Sequence, residues 1–283
     1  MSEAEAPIPA SDLPARFAMG VAMVAVALAA VWFGGGESAA GVWLFRLLVL
    51  AAAGVMLVEW GDMHRVRRPW SYFGVAMLAA ILLIGNELLY PAGEMDEVIE
   101  AASFGPAWTG FGAAAAAALL LGLVARRLVM TTGFLYIAIP AIALIAIEWT
   151  WLWLVYWMMI VTWATDICAY FAGRGIGGPK LAPRVSPNKT WAGLIGGIVG
   201  AALFGWLVAW YANLGSPFTW LGAPMAVLAQ AGDLFESALK RRAGVKDSGR
   251  LLPGHGGALD RLDGFLPVIV ATFLVLAAGF WTA

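Results

Sequence analysis

Long apolar runs, broken by short polar segments, set the pattern of this chain. Runs of about 20 apolar residues suit helices that cross a bilayer. Nine can be marked, at about 16–33, 42–60, 71–90, 106–124, 130–148, 151–172, 191–212, 219–238 and 264–282. The pattern predicts an all-α, polytopic integral membrane protein. A short disordered tail (1–15) precedes five N-terminal helices (16–150), and four C-terminal helices (151–283) follow with the polar loops between them. The eighth run has a polar end and the ninth contains Pro267. Segments such as AAAAAALLLGLV carry no chemistry of their own; their Gly and Ala suit close helix packing.

Composition agrees. Of 283 residues, 62% are hydrophobic and 12% charged, against about a quarter charged in a soluble domain. The distribution of charge says more than its net value of −1. Lys and Arg concentrate in cytoplasmic loops of membrane proteins. With the N-terminus inside, sixteen of the seventeen fall on cytoplasmic segments, and the loop PAGEMDEVIEAASFG on the other side is acidic. The exception, Arg46, is expected to snorkel from near a helix end. This asymmetry predicts a cytoplasmic N-terminus and a periplasmic C-terminus.

Smaller signals fit the same frame. The lone Cys168 excludes an internal disulfide and reads as an inert thiol. The acidic start lacks the basic segment of a cleaved signal peptide. Trp32, Trp60, Trp149 and Trp151 suit an aromatic belt, and Glu59, Glu87 and Glu148 read as interfacial groups rather than catalytic ones. No nucleic-acid partner is expected, and a homodimer is left open.

The exception to this apolar text is QAGDLFESALKRRAGVKDSGRLLPGHGGALDRLD, residues 230–263. Asp233, Glu236, Ser237 and Lys240 fall at i, i+3, i+4 and i+7, on one helix face. Lys240, Arg241, Arg242 and Lys246 make a basic run, and Asp260 and Asp263 close the stretch at i, i+3. Carboxylates of this kind suit a hard cation such as Mg²⁺, held with help from substrate phosphates. Clustered cations suit the phosphates themselves. Together they fit phosphoryl or nucleotidyl transfer, which rests on positioning and charge neutralisation. His255, between glycines, is open between a general base and a structural hydrogen bond.

A second polar stretch begins at Asp166, which shares a face with Ala169, Tyr170 and Gly173, and continues through GRGIGGPKLAPRVSPNKTWAG. A carboxylate in a membrane segment is functional by default; a helix-end group wetted by headgroups is the other reading. Pro179, Pro183 and Pro187 stiffen this loop, while Lys180, Arg184 and Lys189 make it basic. It suits a substrate anion or anionic headgroups. Ser186, Asn188 and Thr190 are three choices for capping the seventh helix.

These residues also carry a resemblance. Ser237, Leu239, Lys240-Arg241, Lys246-Asp247, Gly249, Leu252-Pro253, His255-Gly256-Gly257 and Asp260-Arg261-Leu262-Asp263 resemble the signature of the phosphatidate cytidylyltransferases, over twenty-seven positions of fixed spacing. Ser186, Pro187, Lys189 and Thr190 match a second segment of that family. The resemblance covers roughly residues 160–265 with specific motifs. It implies transfer from CTP to phosphatidic acid, giving CDP-diacylglycerol and pyrophosphate. It implies Asp233 and Asp260 as metal ligands, with Asp263 in support, and Mg²⁺ joined by a monovalent cation such as K⁺. Lys240 is implied beside the two aspartates as catalytic. Ser186, Lys189, Thr190, Ser237, Arg241, Lys246, Asp247 and His255 are implied on the substrates. The expected setting is the bacterial inner membrane, with the site facing the cytoplasm. Two other readings stay open, a CTP-dependent lipid kinase of the polyprenol or phytol type and a lipid or ion transporter.

Overall fold

The computed structural model describes residues 25, 28, 29, 31–33, 39–85, 104–249 and 256–279. The tail 1–15, most of the first predicted span, Glu87 and His255 lie outside them. The described helices are α1 (Ala39–Met63), α2 (Arg68–Ala79, prolonged by a π-helical turn, Ala80–Gly85), α3 (Gly105–Ala125), α4 (Leu128–Thr150) and α5 (Leu152–Gly175). They continue as α6 (Trp191–Tyr211), α7 (Phe218–Ala243), the single turn α8 (Leu259–Leu262) and α9 (Phe265–Ala277). Five of them, α1, α3, α4, α5 and α6, are long and apolar enough to cross a membrane. Many large apolar side chains lie on the outside, among them Leu123, Leu128, Ile195 and Trp220. In water that surface would mark an interaction site; against lipid it is solvated.

The chain turns sharply between neighbours. Arg126, left-handed at φ 52°, ends α3, and α4 starts two residues later. Gly244 (φ 75°) ends α7, with the N–H of Gly244 and Val245 donating to the carbonyls of Arg241 and Lys240. A glycine suits this left-handed stop, and the basic last turn complements the helix dipole.

Small residues bring α5 and α6 together. A Cβ added at Gly196 would lie 2.3 Å from the Ala172 Cβ, and one at Gly200 would lie 2.3 Å from the Cys168 sulfur. Gly197 meets the Thr165 carbonyl in the same way, at 2.9 Å. The helices therefore touch nearly backbone to backbone, as small-residue interfaces in membranes do. One continuous core runs from Phe45 on α1 to Leu276 on α9, so the two predicted groups of helices share it.

Three expectations change. The loop before α6 contains a small antiparallel hairpin, β1 (Lys180–Ala182) and β2 (Ser186–Thr190), paired Lys180 to Thr190 and Ala182 to Ser186. Trp60 is no belt residue: it is buried, and its indole N–H donates to the Val129 carbonyl on α4 at 2.8 Å. Arg46 does not snorkel. It is 1% exposed, lies over the Trp43 ring at 5.5 Å and acts electrostatically on buried Glu148. Pairing of that kind is what burial of a charge requires.

Candidate active site

The predicted face of α7 exists. Ser237 donates to Asp233 Oδ1 at 3.3 Å, and Lys240 pairs with Glu236 Oε2 at 2.5 Å one turn away. Glu236 is wholly buried, which the adjacent ammonium makes tolerable. From β2, Lys189 forms an ion pair with Asp233 and donates to Gln230 Oε1 at 2.8 Å. The second polar stretch thus meets the first through one lysine. Its neighbour Thr190 caps α6, accepting the N–H of Gly193 at 3.0 Å. That leaves Lys189 directed at α7 from the start of a 21-residue helix.

Asp260 is the hub of the second cluster. Its Oδ1 accepts from Lys240 at 2.5 Å. Its Oδ2 accepts three donors: the Gly257 N–H at 2.8 Å, the Ser248 N–H at 2.9 Å and the Ser248 hydroxyl at 2.9 Å. Burial opposes its charge, but Lys240 and the two N–H groups win and hold Asp260 below the ordinary carboxylate range.

Behind this turn stands Glu59 of α1, read from the sequence as interfacial. It is 6% exposed and accepts the N–H groups of Ala258 (3.0 Å) and Leu259 (2.9 Å), with the Ser248 hydroxyl at 3.4 Å. These N–H groups open the α8 turn, and a carboxylate satisfies them and the local dipole together. Gly249 and Gly257 allow the approach, since a Cβ on either would fall within 2.6 Å of a Glu59 oxygen. Glu59, Gln230 and Ser248 are the polar residues whose part was missed. Gln230 had a signal, its i, i+3 spacing to Asp233. Glu59 had none, because nothing local shows which backbone it faces.

Asp263 follows α8. Burial, reinforced by the charges of Asp233 and Glu236, pushes it up to about 8, although its Oδ1 accepts the Gly264 N–H at 2.7 Å. Asp166, inside α5, acts on both Asp233 and Asp263. Five carboxylates therefore interact here (Asp166, Asp233, Glu236, Asp260 and Asp263) with three cations, Lys189, Lys240 and Arg261. Oxygen donors of this kind are what a hard divalent cation takes. Among the described residues no three metal-ligating side chains converge on one point. Mg²⁺ does not require that, since it commonly takes one or two carboxylates and completes its shell with phosphates and water.

The backbone approach beside Asp263 is tight. A Cβ on Gly232 would lie 2.4 Å from the Asp263 carbonyl oxygen and 2.8 Å from Pro267. Gly232→Val should push Asp263 away from Asp233 and lower turnover at least tenfold. A turnover assay checks this; an unchanged rate would remove Asp263 from the site.

The other expected residues sit apart from these carboxylates. Arg241 is exposed and donates to the Val245 carbonyl at 3.4 Å. Ser186 lies opposite Ala182, at the turn end of the hairpin. Lys246 and Asp247 line a separate cavity of about 1070 Å³, beside Glu59, Arg68, Tyr72 and Ser248.

Comparison with known proteins identifies the family. Residues 14–278 match the model of a family described as the cytidylyltransferase family. A phosphatidate cytidylyltransferase of Brucella suis biovar 1 is 35% identical over 279 residues, 93% of each chain. One from Bacillus subtilis is 46% identical over 126 residues, 44% of this chain and 47% of its own. One from Haemophilus influenzae is 44% identical over 119 residues, 40% of this chain and 41% of its own.

Proposed function

This chain belongs to the cytidylyltransferase family, and from that premise we propose that it transfers the cytidylyl group of CTP to phosphatidate, giving CDP-diacylglycerol and pyrophosphate. The single observation that carries the mechanism is a pair of ion pairs, Lys189 with Asp233 and Lys240 with Asp260, organised seven residues apart on one face of α7. A phosphate oxygen of the lipid attacks the α-phosphorus of CTP. The bond from that phosphorus to the bridging oxygen breaks, and pyrophosphate leaves with the electron pair. The attacking group is already an anion, so no strong base is needed.

The residues divide the work by charge. Asp233 and Asp260, with Asp263 in support, would hold Mg²⁺, which would neutralise phosphate charge. Lys189 and Lys240 lie on those carboxylates and transfer to phosphate oxygens when substrate enters, an exchange of one charge-assisted contact for another. Glu236 keeps Lys240 close while that happens. Glu59 holds the Asp260 turn in place and touches no substrate; it is a positioning residue.

The same reading supplies a topology. Nine helices, with the N-terminus and the site in the cytoplasm and the C-terminus in the periplasm, put sixteen of the seventeen Lys and Arg residues on the inner side of a bacterial inner membrane. CTP and Mg²⁺ arrive from the cytoplasm and phosphatidate from the inner leaflet.

Purified protein in detergent, given labelled CTP, phosphatidic acid and Mg²⁺, should form a labelled liponucleotide and release pyrophosphate. Release of CDP with a phosphorylated lipid alcohol would replace this reading with a lipid kinase. Lys189→Ala should lower kcat/KM for CTP or phosphatidate about tenfold or more, the worth of one charged hydrogen bond. Lys189→Arg should not restore it, because a planar fork does not fit a site built for a compact ammonium. Unchanged kinetics in the alanine variant would reassign the hairpin to headgroup binding.

A further inference from the structure

A cavity of about 500 Å³ lies between α1, α4, α5 and α9 and is apolar along almost its whole length. Its polarity is confined to one end, where Asp166 and Arg261 line it beside Leu262, just past Thr162. That end adjoins the carboxylate cluster: Arg261 and Leu262 lie on the turn between Asp260 and Asp263, and Asp166 acts electrostatically on Asp233 and Asp263. The far end is lined by side chains from distant points of the same helices, Phe45 and Leu48 on α1, Leu144 on α4 and Val155 on α5.

The depth of the cavity identifies its occupant. Val155 and Asp166 are eleven residues apart on α5, an axial rise of about 16 Å. That is about half of the roughly 30 Å hydrocarbon core, the depth of one leaflet. An apolar slot of that depth, with a cation and the reacting carboxylates at its mouth, matches one amphiphile: an anionic headgroup joined to a long acyl chain.

We propose that this cavity binds an acyl chain of the lipid substrate and that its far wall, Leu48, Leu144 and Val155, sets the chain length the protein prefers. The inference rests on the function proposed above and deepens it. Arg261 stands at the mouth, where the glycerol phosphate enters, and the chain extends from there toward Leu144. Each methylene accepted or excluded is worth about fourfold in binding, so a small change in the wall reads out as a large change in preference.

The test uses the full chain in mixed micelles with saturated phosphatidates of graded length, each assayed for kcat/KM at saturating CTP and Mg²⁺. Leu144→Trp fills the far end. The optimum should move to shorter chains, with the longest losing about tenfold or more, as two excluded methylenes imply. Leu144→Ala deepens the cavity and should move the optimum to longer chains. Should the tryptophan variant not fold, the alanine variant alone decides, because only a chain seated against Leu144 responds to its removal. Active variants with the wild-type length profile would overturn the acyl assignment while leaving the reaction intact. A wild-type protein that forms no liponucleotide from any phosphatidate would instead overturn the function on which the assignment rests.

Discussion

Asp260→Asn is expected to lose both turnover and stability, whereas Asp233→Asn should lose turnover alone. The difference lies in what each carboxylate holds. Asp260 receives four donors on two oxygens. An amide offers one oxygen, so its NH₂ must face either the Lys240 ammonium or the donors from Ser248 and Gly257. The Lys240–Asp260 pair is nearly buried, at 12% and 9% side-chain exposure, and breaking a buried pair costs about 3–5 kcal/mol. Asp233 is 34% exposed, and its amide still accepts from Ser237 or Lys189. Both variants should lose at least about a thousandfold in kcat, the scale on which residues acting as a unit fail. Thermal unfolding in detergent should place Asp260→Asn well below wild type and Asp233→Asn near it. Wild-type melting of Asp260→Asn would mean that the hub carries no stability and its bonds are incidental.

The second large effect belongs to a residue more remote from the chemistry. Glu59→Ala leaves the buried N–H groups of Ala258 and Leu259 without an acceptor, at about 1–3 kcal/mol each. The turn that presents Asp260 should then loosen, and kcat should fall by about a hundredfold or more while KM for CTP changes little. Glu59→Gln keeps one carbonyl oxygen for one of the two N–H groups and should recover part of the loss. A carboxylate that only marked the membrane interface would behave differently: both variants would then keep wild-type kcat.

How far the chain could be read in advance depended on range. The face of Asp233, Glu236, Ser237 and Lys240 was legible because helical spacing is local. So was the cap on α6, reduced by the structure from three choices to Thr190. Lys189 was marked for its charge, but its partner across the fold was not, since pairing at that distance follows from how α6 packs on α7, where Gly222 meets the Ala201 carbonyl. The hairpin escaped notice because strands of three and five residues are too short for an alternating pattern to emerge. Arg46, Trp60 and Glu59 were misread for one shared reason. Each lies near the end of an apolar run, where a surface role is the usual one, and each faces a partner from elsewhere in the chain.

The bonds of Glu59 also impose an order on biosynthesis. Its acceptors wait for donors 189 to 200 residues downstream. At about 5–20 residues per second, that is a wait of roughly 10–40 s between the emergence of α1 and the arrival of the turn it will hold. Until then α1 carries a carboxylate with no final partner, and the nascent helices can gather but not lock. A ribosome that stops before Leu259 leaves a product with an exposed flaw in α1, open to membrane quality control. A late turn is therefore the latch for an early helix, and only a chain extended past Leu259 can close it.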